Sequence, residues 1–305
     1  MLLDVLKDLY GFSAVSEPQL FSEGMVNRHH LVETIDSKIV IKTHRKHKTE
    51  KEVRNEFAAI DFLSLHKFPV PDVYKTLKKE FYVENSETFF SVSEFVFGDH
   101  PIQSEFNLIL IGEWLAKLHS LPLDLEVEIP SPESRMITLR KFIESKSNTS
   151  TRISQLVFKE LKDKDGFDFS ECPKGIVYWD ISFNNIICSP TRGFVFLDFD
   201  DVGVGNLIFD IAKVLCYDCT GVNQGNFFFK RNLIEAFLKG YYKHRRLTRT
   251  EVLKMYNACR FRMLDYFRWH FSAQHTKRSF EYWNRFLSVK ENFEFTVKPI
   301  LEKIL

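Results

Sequence analysis

Tyr178-Trp179-Asp180-Ile181-Ser182-Phe183-Asn184-Asn185 leads into Ile186-Ile187, and soon after Phe194-Val195-Phe196-Leu197 runs into Asp198-Phe199-Asp200-Asp201. This stretch sets an acid and an amide five positions apart in a loop ahead of a short apolar run, and ends a second apolar run on another acid. A carboxylate and an amide oxygen converging from two strand ends make the hard-oxygen ligation that suits Mg2+, an ion that keeps waters and meets phosphates through few protein ligands. Asp180 is then available to face a hydroxyl. Phosphoryl transfer needs this division of labour: a metal neutralises phosphate charge while a separate carboxylate orients the attacking oxygen and accepts its proton. Taken singly, Asp180 and Asn185 fit ordinary turn chemistry equally well, since both residue types favour loops.

Downstream, Phe209-Asp210-Ile211-Ala212 places a further acid where a helix begins. With the patterns Asp180-x-x-x-x-Asn185 and Leu197-Asp198-Phe199, in this order and spacing, the chain resembles the aminoglycoside phosphotransferase and choline kinase-like family, relatives of the protein kinases. The resemblance implies an α+β, bilobal, protein-kinase-like fold with a small antiparallel-sheet N-lobe and a mostly helical C-lobe. It implies Asp180 as the catalytic acid-base or orienting residue and Asn185 and Asp198 as magnesium ligands. Asp210 reads as a helix cap that orders the loop without touching substrate. The pattern departs from its relatives at Tyr178 and Trp179, where they usually have His and often a small residue.

The nucleotide side rests on other residues. Lys42 closes an apolar strand and would reach the α and β phosphates if a carboxylate from the following helix holds it. At about 100° per residue, Glu56 lies roughly 45° from the centre of the face formed by Val53, Phe57, Ile60 and Leu63, and Glu52 roughly 85° away. Glu56 is therefore the inward-pointing partner. Upstream, Ser22-Glu23-Gly24-Met25-Val26-Asn27 occupies the turn where relatives have a phosphate-covering loop, which makes Gly24 a candidate despite its being the single glycine there. Val92-Ser93-Glu94-Phe95-Val96-Phe97-Gly98 resembles the family's hinge, where backbone groups of Glu94 and Val96 would bind an adenine-like base. Side-chain identity matters little at such a hinge, so ATP and GTP are equally compatible.

Away from these motifs the periodicity divides the chain. Residues 27–35, 38–42, 80–84 and 89–96 alternate as strands, and 49–66 has helical spacing closed by Pro69 and Pro71. After Gly98 the spacing is helical over 106–119, 136–145, 211–219, 227–242, 251–271 and 286–305. The expected organisation is a nucleotide-binding lobe over 1–97 and a helical lobe over 98–305 that carries the catalytic loop and acceptor site, their seam being a usual place for a ligand cleft.

The composition narrows the partners. Of 305 residues, 44% are hydrophobic and 27% charged, enough for a large core, and 42 basic against 41 acidic side chains predict neither a nucleic-acid footprint nor a polybasic membrane surface. No apolar run approaches the roughly eighteen residues of a membrane span, and the start Met1-Leu2-Leu3-Asp4 has no basic leader, so a cytoplasmic protein is expected. Cys216 and Cys219, two of five cysteines, read as reduced core thiols. His44-Arg45-Lys46-His47-Lys48 and the basic run 243–249 read as solvated connections, and Tyr266, Phe267, Trp269, Tyr282 and Trp283 read first as core packing and second as a cage for an amine. The expected activity is Mg2+-dependent transfer of a γ-phosphoryl group from ATP or GTP to a small hydroxyl-bearing acceptor. The basic stretch 230–262 leans away from a polycationic acceptor. A kinase-fold scaffold without catalysis is the competing class, motivated by Tyr178, Trp179 and the single-glycine loop. A protein kinase is a third, disfavoured by the short route from Asp198 to Asp210.

Overall fold

The computed structural model describes residues 2–22, 27–85, 88–127, 132–146, 160, 167–272 and 276–303. Backbone contacts divide the chain into two compact units, Met1–Pro101 with Asn184–Asp201, and Ile102–Phe183 with Val202–Leu305.

The first unit is built on an antiparallel sheet of β1 (Gln19–Ser22), β2 (Arg28–Glu33), β3 (Lys38–Thr43), β4 (Val73–Tyr74), β5 (Tyr82–Asn85) and β6 (Thr88–Glu94). The order is β1-β2-β3-β6-β4, with β5 also pairing on β6. Because side chains alternate across a strand, Val32, Ile39, Ile41, Phe90 and Val92 share one face. They bury it against Leu6 and Tyr10, which follow the short helix α1 (Leu2–Val5). Helix α2 (Glu50–Leu65) starts at a capping box in which Thr49 and Glu52 satisfy each other's backbone amides, and its buried side carries Val53, Glu56, Phe57, Ala59, Ile60 and Leu63.

A hairpin, Ile186–Ser189 with Gly193–Phe196, completes this unit. It is tied on by hydrogen bonds from Cys188 N to Asp99 O at 2.8 Å and from Phe196 N to Pro69 O at 2.8 Å. Gly98 makes that approach possible. Its φ of +144° and the Cys188 carbonyl oxygen, 2.2 Å from where a Cβ would stand, leave room for hydrogen alone.

The second unit is mainly helical: α3 (Glu105–Leu118), α4 (Pro132–Lys146), α5 (Ile208–Tyr217), α6 (Arg231–Tyr241), α7 (Arg249–Ser272), α8 (Thr276–Thr296) and α9 (Lys298–Glu302). Helices α3 and α6 pack backbone to backbone at Gly112 and Gly240, and α7 packs against α8. Two small pairs of strands join them, Lys174–Val177 with Gly203–Asn206 and Thr220–Asn223 with Asn226–Phe229.

The second of these pairs corrects the helix expected over 227–242. Phe227 and Phe229 turn inward from a strand while Phe228 stays exposed, and the helix begins only at Arg231. Likewise the helix expected over 286–305 is the end of α8 followed, after Val297, by α9 with Pro299 in its first turn. Among the described residues no helix is long and apolar enough to cross a membrane.

Candidate functional site

In the first unit the sequence builds a part-buried charge cluster around Lys42. On β3, Lys42 pairs with His29 of β2 and Ser91 of β6, and its ammonium points at helix α2. Its Nζ donates to Glu56 Oε1 at 2.7 Å and to Asp200 Oδ1 at 2.7 Å, with Asp198 Oδ1 at 3.5 Å. Glu56 is buried, whereas Glu52 lies outside, bonded to Arg45 and to its own capping threonine. Burial alone would pull the Lys42 ammonium down, but Glu56, Asp200 and Asp198 together outweigh it and hold its pKa well above the ordinary lysine value.

Two members of this cluster contradict the reading of 44–48 as solvated. Arg45, Lys46 and His47 are exposed, but His44 and Lys48 are buried. Lys48 Nζ donates to Glu56 Oε2 at 2.5 Å and to Asp200 Oδ1 at 3.0 Å, so each carboxylate is shared by two lysines. Asn27 adds an amide donor to Asp200 Oδ2 at 3.0 Å. Asp200 therefore stays ionised: burial would raise its pKa, but Lys42 and Lys48 hold it well below the usual carboxylate range. Burial, with the two lysine charges, pushes the His44 imidazole down to about 2, so it stands neutral beside them. His44, Glu56 and Asp200 also have the mutual spacing of a metal triad. Their oxygens are already bonded to two ammonium groups, so we do not assign a metal there. Asp200 and Lys48 escaped the sequence reading; the two-residue spacing of Asp198 and Asp200 after a strand end was the available signal.

Asn185 and Asp198 stand just beyond the two arms of the hairpin. Ile186 pairs with Phe196, and Leu197 N donates to Asn185 O at 2.8 Å, which brings the amide-bearing and acid-bearing residues to the same end. Asn185 closes a single 3-10 turn, Phe183–Asn185, and Asp198 takes a left-handed φ of +60°. The Asp198 side chain is 45% exposed, in contrast to the nearly sealed Glu56, so a solvated cation can reach it. An acid and an amide oxygen at one hairpin end match the donor set and partial hydration that Mg2+ requires.

At the end of β6, Glu94 N donates to Asp72 O at 2.9 Å, and the Glu94 carboxylate accepts from Asp72 N and pairs with Arg192. Val96 follows in the half-buried connection towards Gly98. Gly24 lies outside the described residues.

In the second unit Asp180 sits on a loop fixed from below. Asp210, fully buried in the first turn of α5, accepts from Tyr178 N at 2.6 Å and Trp179 N at 2.7 Å, with His119 Nε2 at 3.2 Å. The helix itself starts at Ile208, and its N-cap Leu207 offers no side-chain cap, so Asp210 orders the loop from inside the helix instead of capping it. Tyr178 and Trp179 are buried beneath the loop, Trp179 in a left-handed conformation with φ +69°. The Arg262 guanidinium lies 3.9 Å from the centre of the Trp179 ring and donates to Trp179 O.

Above that base the Asp180 side chain is 40% exposed; its Oδ1 accepts the Tyr266 hydroxyl, and Lys213 Nζ lies 4.0 Å away. Tyr266 is thus more than a packing residue, while Phe267, Tyr282 and Trp283 are buried in the core. Cys216 and Cys219 are buried free thiols.

A small antiparallel sheet with one crossing helix, a strand lysine paired to that helix, and a helical second unit carrying an acid-bearing loop define a protein-kinase-like fold. Comparison with known proteins gives the family. Residues 17–250 match the phosphotransferase enzyme family, APH, and the chain belongs to it. It is, accordingly, a phosphotransferase enzyme. A search of curated proteins returns no match.

Solved structures of the same fold include an amicoumacin kinase in complex with AMP-PNP, Ca2+ and Ami, 15% identical over 96% of this chain and 93% of that one, with a TM-score of 0.71. A choline/ethanolamine kinase family protein from Mesorhizobium loti is 12% identical over 95% of this chain and 92% of that one, with a TM-score of 0.66. A Plasmodium vivax ethanolamine kinase is 15% identical over 99% and 85%, with a TM-score of 0.64.

Proposed function

We propose that this protein is a cytoplasmic, Mg2+-dependent small-molecule kinase that moves the γ-phosphoryl group of ATP or GTP to an alcohol. The observation that carries this reading is the part-buried Lys42 ammonium, bonded to Glu56 and Asp200, with the exposed Asp198 carboxylate 3.5 Å from it. A lysine held charged in this way is suited to the non-bridging oxygens of a nucleotide's phosphates. Asp198 and Asn185 would hold the metal, whose charge neutralises the phosphates when bound. The backbone at Glu94 and Val96 would receive the base, and Gly24 would cover the phosphates.

Asp180 orients the acceptor hydroxyl and takes its proton as the oxygen attacks. Tyr266, donating to Asp180 Oδ1, fixes the carboxylate's rotamer, and Asp210 fixes the loop beneath it. Positioning and charge complementarity therefore supply the chemistry, as a loose phosphoryl transition state requires. Asp198→Ala is the test: turnover of ATP or GTP with Mg2+ falls by about a thousandfold or more, the size expected when a charge-stabilising group is lost. Normal metal-dependent turnover in that variant would sink the assignment.

A further inference from the structure

The aromatic group beside Asp180 carries an observation about the acceptor that the phosphotransferase reading leaves open. Tyrosine and tryptophan faces near a reacting carboxylate would ordinarily attract a cationic substrate. Here the chain's own cations already occupy them. Lys213 Nζ lies 3.6 Å from the Tyr217 ring centre and 4.8 Å from that of Tyr266. Arg285 lies 4.5 Å from Tyr217, and Arg262 4.8 Å from Tyr266. Tyr282 stacks on Tyr266 at 4.8 Å and on His270 at 4.9 Å, so its faces meet other rings.

Charge points the same way. Lys213 is buried on α5 and stands 4.0 Å from Asp180 Oδ1, so its field is poorly screened by water. Burial lowers its pKa to about 8, which leaves it mostly protonated at neutral pH. The nearby acid Asp218 is buried too, and that burial pushes its pKa up to about 7, so it balances Lys213 only in part. Arg262 and Arg285 add two permanent positive charges to the same group of rings, and Glu281 pairs with Arg285. Among the described residues at these rings the cations outnumber the acids, so an incoming ammonium would meet no net negative field there beyond Asp180 itself.

We propose that Lys213 is a specificity-determining residue: its fixed ammonium, set between Tyr217 and Tyr266 beside Asp180, excludes cationic acceptors and restricts the enzyme to hydroxyls on neutral or anionic molecules. This rests on the phosphotransferase reading and narrows it to an acceptor class. Lys213 acts by position and charge and takes no proton in the transfer.

The test compares kcat/KM for two sets of acceptors with Mg2+ and ATP or GTP, reading nucleoside diphosphate release. One set is glycerol, ribose, a nucleoside and glycerate; the other is ethanolamine, choline and a kanamycin-type aminoglycoside. The wild-type protein uses a member of the first set at least about tenfold better than any of the second, the scale of a like-charge penalty close to a buried ion. Lys213→Met keeps the bulk, removes the charge and shifts the ratio of cationic to non-cationic efficiency upward by about tenfold or more. A loss of folding or packing alone lowers both sets together and leaves the ratio where it was, which would overturn the specificity role. A cationic alcohol used by the wild type as well as the best neutral one overturns the inference while leaving the kinase reading intact. Release from no acceptor, with no rise in Tm on adding nucleotide and Mg2+, overturns both. The glycerol and glycerate arms separate a neutral from an anionic acceptor.

Discussion

Lys48 shows what residue type and neighbours do not reveal. Within His44-Arg45-Lys46-His47-Lys48 every side chain is polar, yet positions 44 and 48 face inward while 45, 46 and 47 face water. Nothing in that pentapeptide marks the difference. The carboxylates that receive Lys48 come from α2 and from Asp200, 152 positions away. Removing one partner of a buried ion pair leaves the others uncompensated, so Lys48→Met is expected to lower stability by about 3 kcal/mol. Urea unfolding reads this as a lower midpoint at unchanged slope; an unshifted midpoint would show that the pair contributes nothing. Glu56 is the opposite case, because the angle it makes with Val53, Phe57, Ile60 and Leu63 follows from 3.6 residues per turn and needs no knowledge of the rest of the chain. Its inward position was legible from spacing.

At the scale of elements, local periodicity found most helices and the central strands and failed where two periods overlap. Phe227-Phe228-Phe229 suits a helix face as readily as a strand edge, and only pairing with Thr220–Asn223 turns it into a hairpin. The strands Lys174–Val177 and Gly203–Asn206 pair at sequence separations of 26 or more, a partnership that no local window contains. Close approach of α3 and α6 was equally invisible: a Cβ on Gly112 would stand 2.2 Å from Phe237 O, and one on Gly240 1.9 Å from Ile109 O. Both obstacles are backbone, so neither helix can yield by turning a side chain. Gly240→Ala should therefore destabilise the protein by about 2 kcal/mol or more despite alanine's better helix propensity. Thermal unfolding decides it, since a raised Tm would mean that the helices separate at little cost.

For the molecule as a whole, buried imidazoles and buried carboxyls pull the pH dependence of stability in opposite directions. Burial, with the lysine charges nearby, lowers the pKa of His44 to about 2 and that of His29 to about 4. Unfolded, each takes up a proton near pH 6.5. Below that value these two imidazoles are protonated only in the unfolded chain, so their contribution to stability falls as the pH drops from about 6.5 towards 4, while Glu56 and Asp218, whose burial raises their pKa to about 7, take up protons in the fold over the same window and oppose that fall. The loss approaches roughly 1.4 kcal/mol per pH unit for each imidazole. Asp200 adds a second loss at lower pH: its folded pKa is depressed, so its contribution is present above the ordinary Asp value and disappears as the pH falls through the folded one. Equilibrium unfolding at several pH values checks the first window, and His44→Asn should shift its slope by about one proton. An unchanged slope in that variant would mean that His44 is protonated in the fold.

The chain's order of acids and amides, together with the turn periods of its strands and helices, determined the kinase-like fold and the family, because these are local patterns that repeat wherever the same chemistry is built. Which polar side chains are sealed inside was decided by the tertiary structure: Lys48 and His44 in one unit, Lys213 beside Asp180 in the other. The physical reason is desolvation. A charge can leave water only where partners from distant parts of the chain arrive together, and their arrival is a property of packing that no short stretch of sequence encodes.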